Sequence, residues 1–289
     1  MYEGGGRLKT GFIGAGKVGC SLGKYLSIRG MKVTGYYDRN TEYAKEASQF
    51  TETKAFESIE SILSESDVLF ITVPDGLIRE VFEEVSAFPI EGKYICHCSG
   101  SISSEDAFPG IGSTGAYEYS VHPLLAVSSR FETYQELTDA FFTLEGNPSH
   151  LSDMSDYLTR AGIKHQIIDP AAKSRYHLAA VFSSNLVLSL IGEGIGLLQE
   201  CGFTEPDARA ALRTLVLGNV QHAVDSGPAA ALTGPVERGD IATIQRHLDL
   251  LSAEDQQLYR LLSKKLLPLA KAKNPDRDYG SLEEYLEIH

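Results

Sequence analysis

Apolar and polar positions in the first part of the chain alternate between two rhythms. Short, nearly continuous apolar runs at residues 8–13, 32–37, 67–73, 93–98, 121–124, 140–145 and 164–169 read as strands, and the most apolar of them suit a parallel sheet covered on both faces. Between them, residues 17–28, 41–50, 57–63, 77–88 and 151–161 read as helices. The alternation predicts an α/β fold with a doubly wound, mainly parallel sheet. After Pro170 the strand rhythm stops. Residues 172–201, 206–225, 241–251 and 253–273 carry helical spacing rich in Ala and Leu, which predicts an all-α C-terminal domain. The expected domains are therefore 1–169 and 170–289. The most apolar stretch, 186–198, is interrupted by Glu193 and three glycines and is shorter than a membrane span, so it reads as a buried helix.

The first strand runs into Gly14-Ala15-Gly16-Lys17-Val18-Gly19, and a helix follows. Gly14 permits a tight turn, Gly16 lets backbone approach a pyrophosphate, and Gly19 lets helix and strand pack closely. The helix N-terminus offers free N–H groups and a positive dipole end to the phosphates. The next strand ends at Asp38, where a carboxylate would meet a ribose hydroxyl. Together these features predict a bound dinucleotide. Asp38 favours NAD(H), whereas the neighbouring Arg39, able to pair with a 2'-phosphate, favours NADP(H). The balance is read here as NADP(H). Two further strand ends are candidate cofactor contacts, Val73-Pro74-Asp75 and Ser99-Gly100, because ligands of such sheets sit at the carboxyl ends of strands.

Charge and cysteine content narrow the partners. A formal net charge of -13 argues against nucleic acid. Four cysteines in 289 residues make no disulfide framework and read as reduced thiols of a cytoplasmic protein, and residues 1–6 lack the pattern of a secretory leader. Cys96 and Cys98 would share one strand face with His97 on the other, so no metal site is expected there.

Candidate chemistry lies on the first helix after the boundary. Lys173, His177 and Ser184 are spaced to form one helical stripe, with Asn185 beside it, on an otherwise apolar helix. Such polar groups need partners, which a cleft between domains would provide. Lys173 or His177 could protonate a carbonyl oxygen as hydride arrives, and the Asn185 amide could hold substrate. His122, before Pro123, is either a cleft residue or a hydrogen-bonded structural histidine. Within residues 232–240, Thr233 and Arg238 could meet an anionic substrate, and Asp240 reads as the N-cap of the helix at 241.

The glycine turn, Val73-Pro74-Asp75, His97-Cys98-Ser99-Gly100-Ser101, Val121-His122-Pro123-Leu124, Ser183-Ser184-Asn185 and the run from Leu232 to Asp240 together resemble a bacterial family of Rossmann-like oxidoreductases. The wider group is 6-phosphogluconate dehydrogenase-like and includes ketopantoate reductases, pyrroline-5-carboxylate reductases and deazaflavin-dependent NADP reductases. In its β-hydroxyacid dehydrogenases and ordinary ketopantoate reductases a lysine and an asparagine stand four positions apart on one helix, whereas here His177 occupies the place four beyond Lys173 and Asn185 stands two turns further on. The resemblance implies hydride transfer between NADPH and a small oxo or imino carboxylate, with ketopantoate the sharpest candidate. It also implies a homodimer formed through the helical domain. The rival expectation is a dinucleotide-binding sensor or interaction protein without catalysis.

Overall fold

The computed structural model describes residues 8–287; residues 1–6, read above for a leader, lie outside them. The strands are β1 (Lys9–Ile13), β2 (Lys32–Tyr37), β3 (Lys54–Ala55), β4 (Val68–Ile71), β5 (Tyr94–His97), β6 (Tyr117–Pro123), β7 (Phe141–Gly146) and β8 (Lys164–Ile167). They form one sheet in the order β3-β2-β1-β4-β5-β6-β7-β8, parallel throughout except where β6 meets β7 antiparallel. The order reverses direction between β1 and β4, which opens a crevice at their carboxyl ends.

Helices α1 (Lys17–Ile28), α2 (Thr41–Thr51), α3 (Ile59–Glu65), α4 (Ile78–Ser86), α5 (Ser104–Ala107) and α6 (Leu151–Arg160) connect these strands. Alternating strand residues divide two cores. Phe12, Phe70, Tyr119 and Phe142 pack on one side with Leu22 and Leu26 of α1 and Tyr157 of α6. Ile13, Leu69, Ile71 and Ile95 pack on the other with Ile62 of α3 and Phe82 of α4. In α4, Ile78, Val81, Phe82 and Val85 make the buried stripe that its sequence spacing predicts. Asn40 caps α2 by accepting from the Glu42 N–H at 3.1 Å.

The remaining helices are α7 (Lys173–Ser183), α8 (Asn185–Glu200), α9 (Glu205–Ser226), α10 (Pro228–Ala231), α11 (Pro235–Arg238), α12 (Ile241–Leu248), α13 (Ala253–Lys273) and α14 (Gly280–Glu287). As expected, Asp240 caps α12, accepting from the Thr243 N–H at 3.0 Å and the Thr243 hydroxyl at 2.7 Å. The chain divides into two compact units between Val187 and Leu188, so α7 belongs with the sheet. The second unit has its own core, including Val236, Ile244, Leu267 and Leu286.

Two expectations are corrected. The continuous helix over 172–201 is broken at Ser184, whose backbone leaves helical geometry at φ -130° and ψ -72°. Short polar side chains at Ser183-Ser184-Asn185 compete for backbone hydrogen bonds and favour helix ends over helix interiors. The apolar 186–198 stretch is also not a buried helix, since no residue of α8 is buried. Residues 170–200 are long and apolar enough to cross a membrane by length and composition.

Candidate active site

The glycine turn lies at the mouth of the crevice. Gly14 has φ +101°, and a Cβ there would come within 2.7 Å of the Thr72 carbonyl oxygen. A Cβ on Gly19 would strike the Gly14 oxygen, so α1 can approach the turn only without a side chain at that position. Around Gly16, by contrast, the space is open. Gly16 is the N-cap of α1 and brings no side chain to it, so the first N–H groups face that space uncapped. Ala15 is buried, Val18 half-buried and Lys17 exposed. A cavity of about 330 Å³ runs from Gly14 and Gly16 past Asp38 and Arg39 to Thr72, Val73 and Pro74. Residues and space fit the pyrophosphate and ribose of a dinucleotide.

Asp38 is more occupied than its sequence position suggests. One carboxylate oxygen accepts from the Ala15 N–H at 2.7 Å and the other from the Asn40 N–H at 2.8 Å, which ties β2 to the turn. Arg39 reaches across to α4 and pairs with Glu80 at 2.6 Å and Glu84 at 2.5 Å. Sequence reading missed Arg130. From the β6–β7 connection it donates to the Ala15 carbonyl at 3.0 Å, pairs with Glu46 and lies over the Tyr43 ring, a clamp on the turn that no local spacing discloses.

The next strand ends are linked in turn. Thr72 donates its hydroxyl to the Gly14 carbonyl at 2.7 Å. Asp75 accepts from the hydroxyls of Ser99 at 2.7 Å and Ser101 at 2.9 Å, which joins the end of β4 to the end of β5.

Beyond them a polar row crosses one face of the sheet. Register pairs His97 with Ser120, Ser120 with Glu145, and His122 with Thr143. Residues paired in register share a face, and so do alternate residues of one strand. Helix α7 closes over this row with Lys173, Tyr176 and His177. The Lys173 ammonium donates to the Ser120 hydroxyl and lies 3.9 Å from Glu145; the lysine is only 2% exposed. Glu145 accepts from the Ser104 N–H at 2.9 Å and the Ser104 hydroxyl at 2.8 Å. Burial lowers Lys173 to about 8 against the opposing pull of Glu145, and burial likewise raises Glu145. Desolvation outweighs the pairing on both sides.

His122 Nδ1 is 2.7 Å from the Tyr176 hydroxyl. Burial first, and then the Lys173 charge, lower His122 to about 4, so it is neutral near pH 7. At Gly100 the ideal Cβ position lies 2.7 Å from His122 Nε2 and 2.9 Å from His177 Nδ1. The two imidazoles thus converge over a backbone with no side chain. His177 Nδ1 is buried without a hydrogen-bond partner.

Of the residues singled out in the sequence, the fold brings together Asp75, Ser99, Gly100, His122, Lys173 and His177. Ser184 is not on the stripe of Lys173 and His177, nor is Asn185 beside it. Ser184 is the helix break and Asn185 the first residue of α8; both are exposed, and they bond to each other at 3.1 Å. Thr233 and Arg238 lie in the second unit, where Arg238 stands 3.9 Å from Asp240. Sequence reading also missed Ser120, Glu145 and Tyr176. Tyr176 alone carried a local signal, three positions after Lys173 on the same helix.

The architecture is an eight-stranded, mostly parallel sheet of Rossmann-like type with a helical C-terminal region. The profile of Rossmann-like domains matches residues 4–123, and that of a domain of unknown function, DUF2520, matches residues 140–266. No curated protein matches the sequence. Among solved structures, a candidate NADP oxidoreductase from Bacteroides fragilis is 22% identical, with 90% of this chain and 98% of that one covered at a TM-score of 0.71. A protein from Thermotoga maritima is 24% identical, with coverages of 91% and 99% and a TM-score of 0.73. An imine reductase from Pseudomonas sp. is 17% identical, with coverages of 97% and 93% and a TM-score of 0.60. At these identities the likeness is one of fold.

Proposed function

We propose that this protein is a reductase that uses a nicotinamide dinucleotide to reduce the C=O or C=N bond of a small oxo or imino carboxylate. One observation carries the reading: next to the glycine turn, whose Gly14 carbonyl accepts from Thr72, Asp75 ties the ends of β4 and β5 together through Ser99, and two imidazoles converge beside Ser99 at Gly100. A crevice that only stored a nucleotide would not require proton-bearing groups beside the strand ends where the reacting ring belongs. The fold shared with an oxidoreductase and an imine reductase supports the same class.

When bound, the dinucleotide supplies hydride. The chain's part is to hold its phosphates at Gly16 and α1, seat the ring near Pro74 and Gly100, and protonate the product. NADP(H) is the favoured form, because Arg39 borders the crevice and its pairs with Glu80 and Glu84 are solvent-exposed, so a 2'-phosphate can replace them at the guanidinium. Arg39→Ala is expected to weaken NADPH binding about tenfold and NADH binding little, as followed by nicotinamide fluorescence.

Turnover is tested by following NADPH oxidation against 2-oxo acids and cyclic imines, ketopantoate and pyrroline-5-carboxylate included. Oxidation with one of them is the expected result. Tight binding with no turnover on any would overturn the enzyme reading in favour of a dinucleotide sensor.

A further inference from the structure

We propose that His122 delivers the proton in this reaction, and that Tyr176 positions it by keeping its ring proton on Nε2. The proposal rests on the reductase reading above and assigns the acid that the sequence had left between Lys173 and His177.

Lys173 is committed elsewhere. Its ammonium is buried, donates to Ser120 and faces Glu145, so it holds α7 against the sheet. His177 reaches the same place through Nδ1, but among the described residues no hydrogen bond holds its other ring nitrogen, so nothing fixes its tautomer as Tyr176 does for His122. His122 alone has both parts of a working proton donor: Nε2 directed at the bare backbone of Gly100, and Nδ1 held by the Tyr176 hydroxyl at 2.7 Å. With the Tyr176 hydroxyl as donor to Nδ1, the imidazole proton stays on Nε2, the nitrogen that faces Gly100.

Because His122 is neutral, loss of the Nε2 proton alone would leave an imidazolate. The relay with Tyr176 avoids this. As hydride and its two electrons reach the carbonyl carbon, the π pair moves to oxygen and the oxygen takes the Nε2 proton. The Tyr176 O–H proton passes to Nδ1 in the same motion. His122 ends as the opposite tautomer, and Tyr176, half-buried with its ring centre 5.8 Å from the Lys173 ammonium, draws a proton from solvent as it gives up its own, so no phenolate is left in a site whose burial raises the phenol. The imidazole then exchanges protons with water, gaining one at Nε2 and losing one from Nδ1, and so regains its starting tautomer. The net uptake is one hydride and one proton per product.

The test uses the full chain labelled with 15N-histidine, without dinucleotide, near neutral pH. The expected spectrum assigns His122 a protonated Nε2 and a bare Nδ1, and Tyr176→Phe shifts it to a mixture of tautomers. A proton on Nδ1, or a spectrum unmoved by Tyr176→Phe, would overturn the proposal without touching the reductase reading. Once a substrate is found, His122→Gln is expected to lower kcat about 100-fold and Tyr176→Phe about 10-fold, with the NADPH Kd unchanged in both. An unchanged Kd also shows that the crevice is intact. Full kcat in His122→Gln and His122→Asn would refute the assignment, whereas an inactive wild-type protein that binds NADPH would refute the reductase reading.

Discussion

At the scale of single residues, burial governs the ionisable groups of this site. His97 is fully buried between β5 and Phe108, accepts from the Ser99 N–H at 3.1 Å, and is lowered to about 3 by desolvation and then by the Lys173 charge. His122 is lowered to about 4. A depressed histidine binds fewer protons folded than unfolded, so its contribution to stability is present above the unfolded value of 6.5 and is lost as pH falls towards the folded value. From there to about pH 5, each is expected to remove about 2 kcal/mol. Thermal denaturation followed by circular dichroism should show a Tm that drops steeply over this range, and less steeply in His97→Gln. Parallel profiles for the two proteins would show that His97 is not the group responsible.

Among the elements, α7 decides what the site contains. Its place is fixed by Lys173 against Ser120 and Glu145, and Glu145 in turn by Ser104 of α5. Lys173→Met leaves a buried carboxylate without its cation, which is expected to cost about 3 kcal/mol in urea unfolding. Adding Glu145→Gln to that variant should restore much of the loss, because the second change removes the stranded charge. A harmless Lys173→Met would mean that the pair does not hold the helix. The sequence places α7 and its Lys173–His177 spacing correctly, since both are local. It does not disclose Ser120 or Glu145, whose meeting with Lys173 depends on the antiparallel register of β6 and β7. The break at Ser184 has a local cause, but the strong apolar pattern on either side conceals it.

For the whole molecule, the exposed apolar faces of α8 and α9 call for a partner. Leu188 and Leu215 are each 67% exposed, and a groove of about 460 Å³ is lined by Ile191, Ile195, Leu212 and Val216. We propose that a second copy of the chain covers them, as the family resemblance implies and as the Gly192, Gly194 and Gly196 run of α8, which permits close helix packing, allows. Light scattering at micromolar concentration is expected to give twice the mass of one chain, and Leu188→Glu with Leu215→Glu to give the mass of one; a monomeric wild-type protein would rule the dimer out. The doubly wound sheet, its strand–turn–helix entry at Gly14 to Gly19, the cap at Asp240 and the helical texture beyond Pro170 were all determined by the sequence alone, because each rests on periodicity or on backbone chemistry within a few residues. Only the tertiary structure decided that Asp38 is spent on the turn, that Arg130 clamps it, that Lys173 is buried in an ion pair and that His122 meets Tyr176 and His177 over Gly100. Those contacts join residues far apart in the chain, and their geometry follows from strand register and helix docking, which local spacing does not encode.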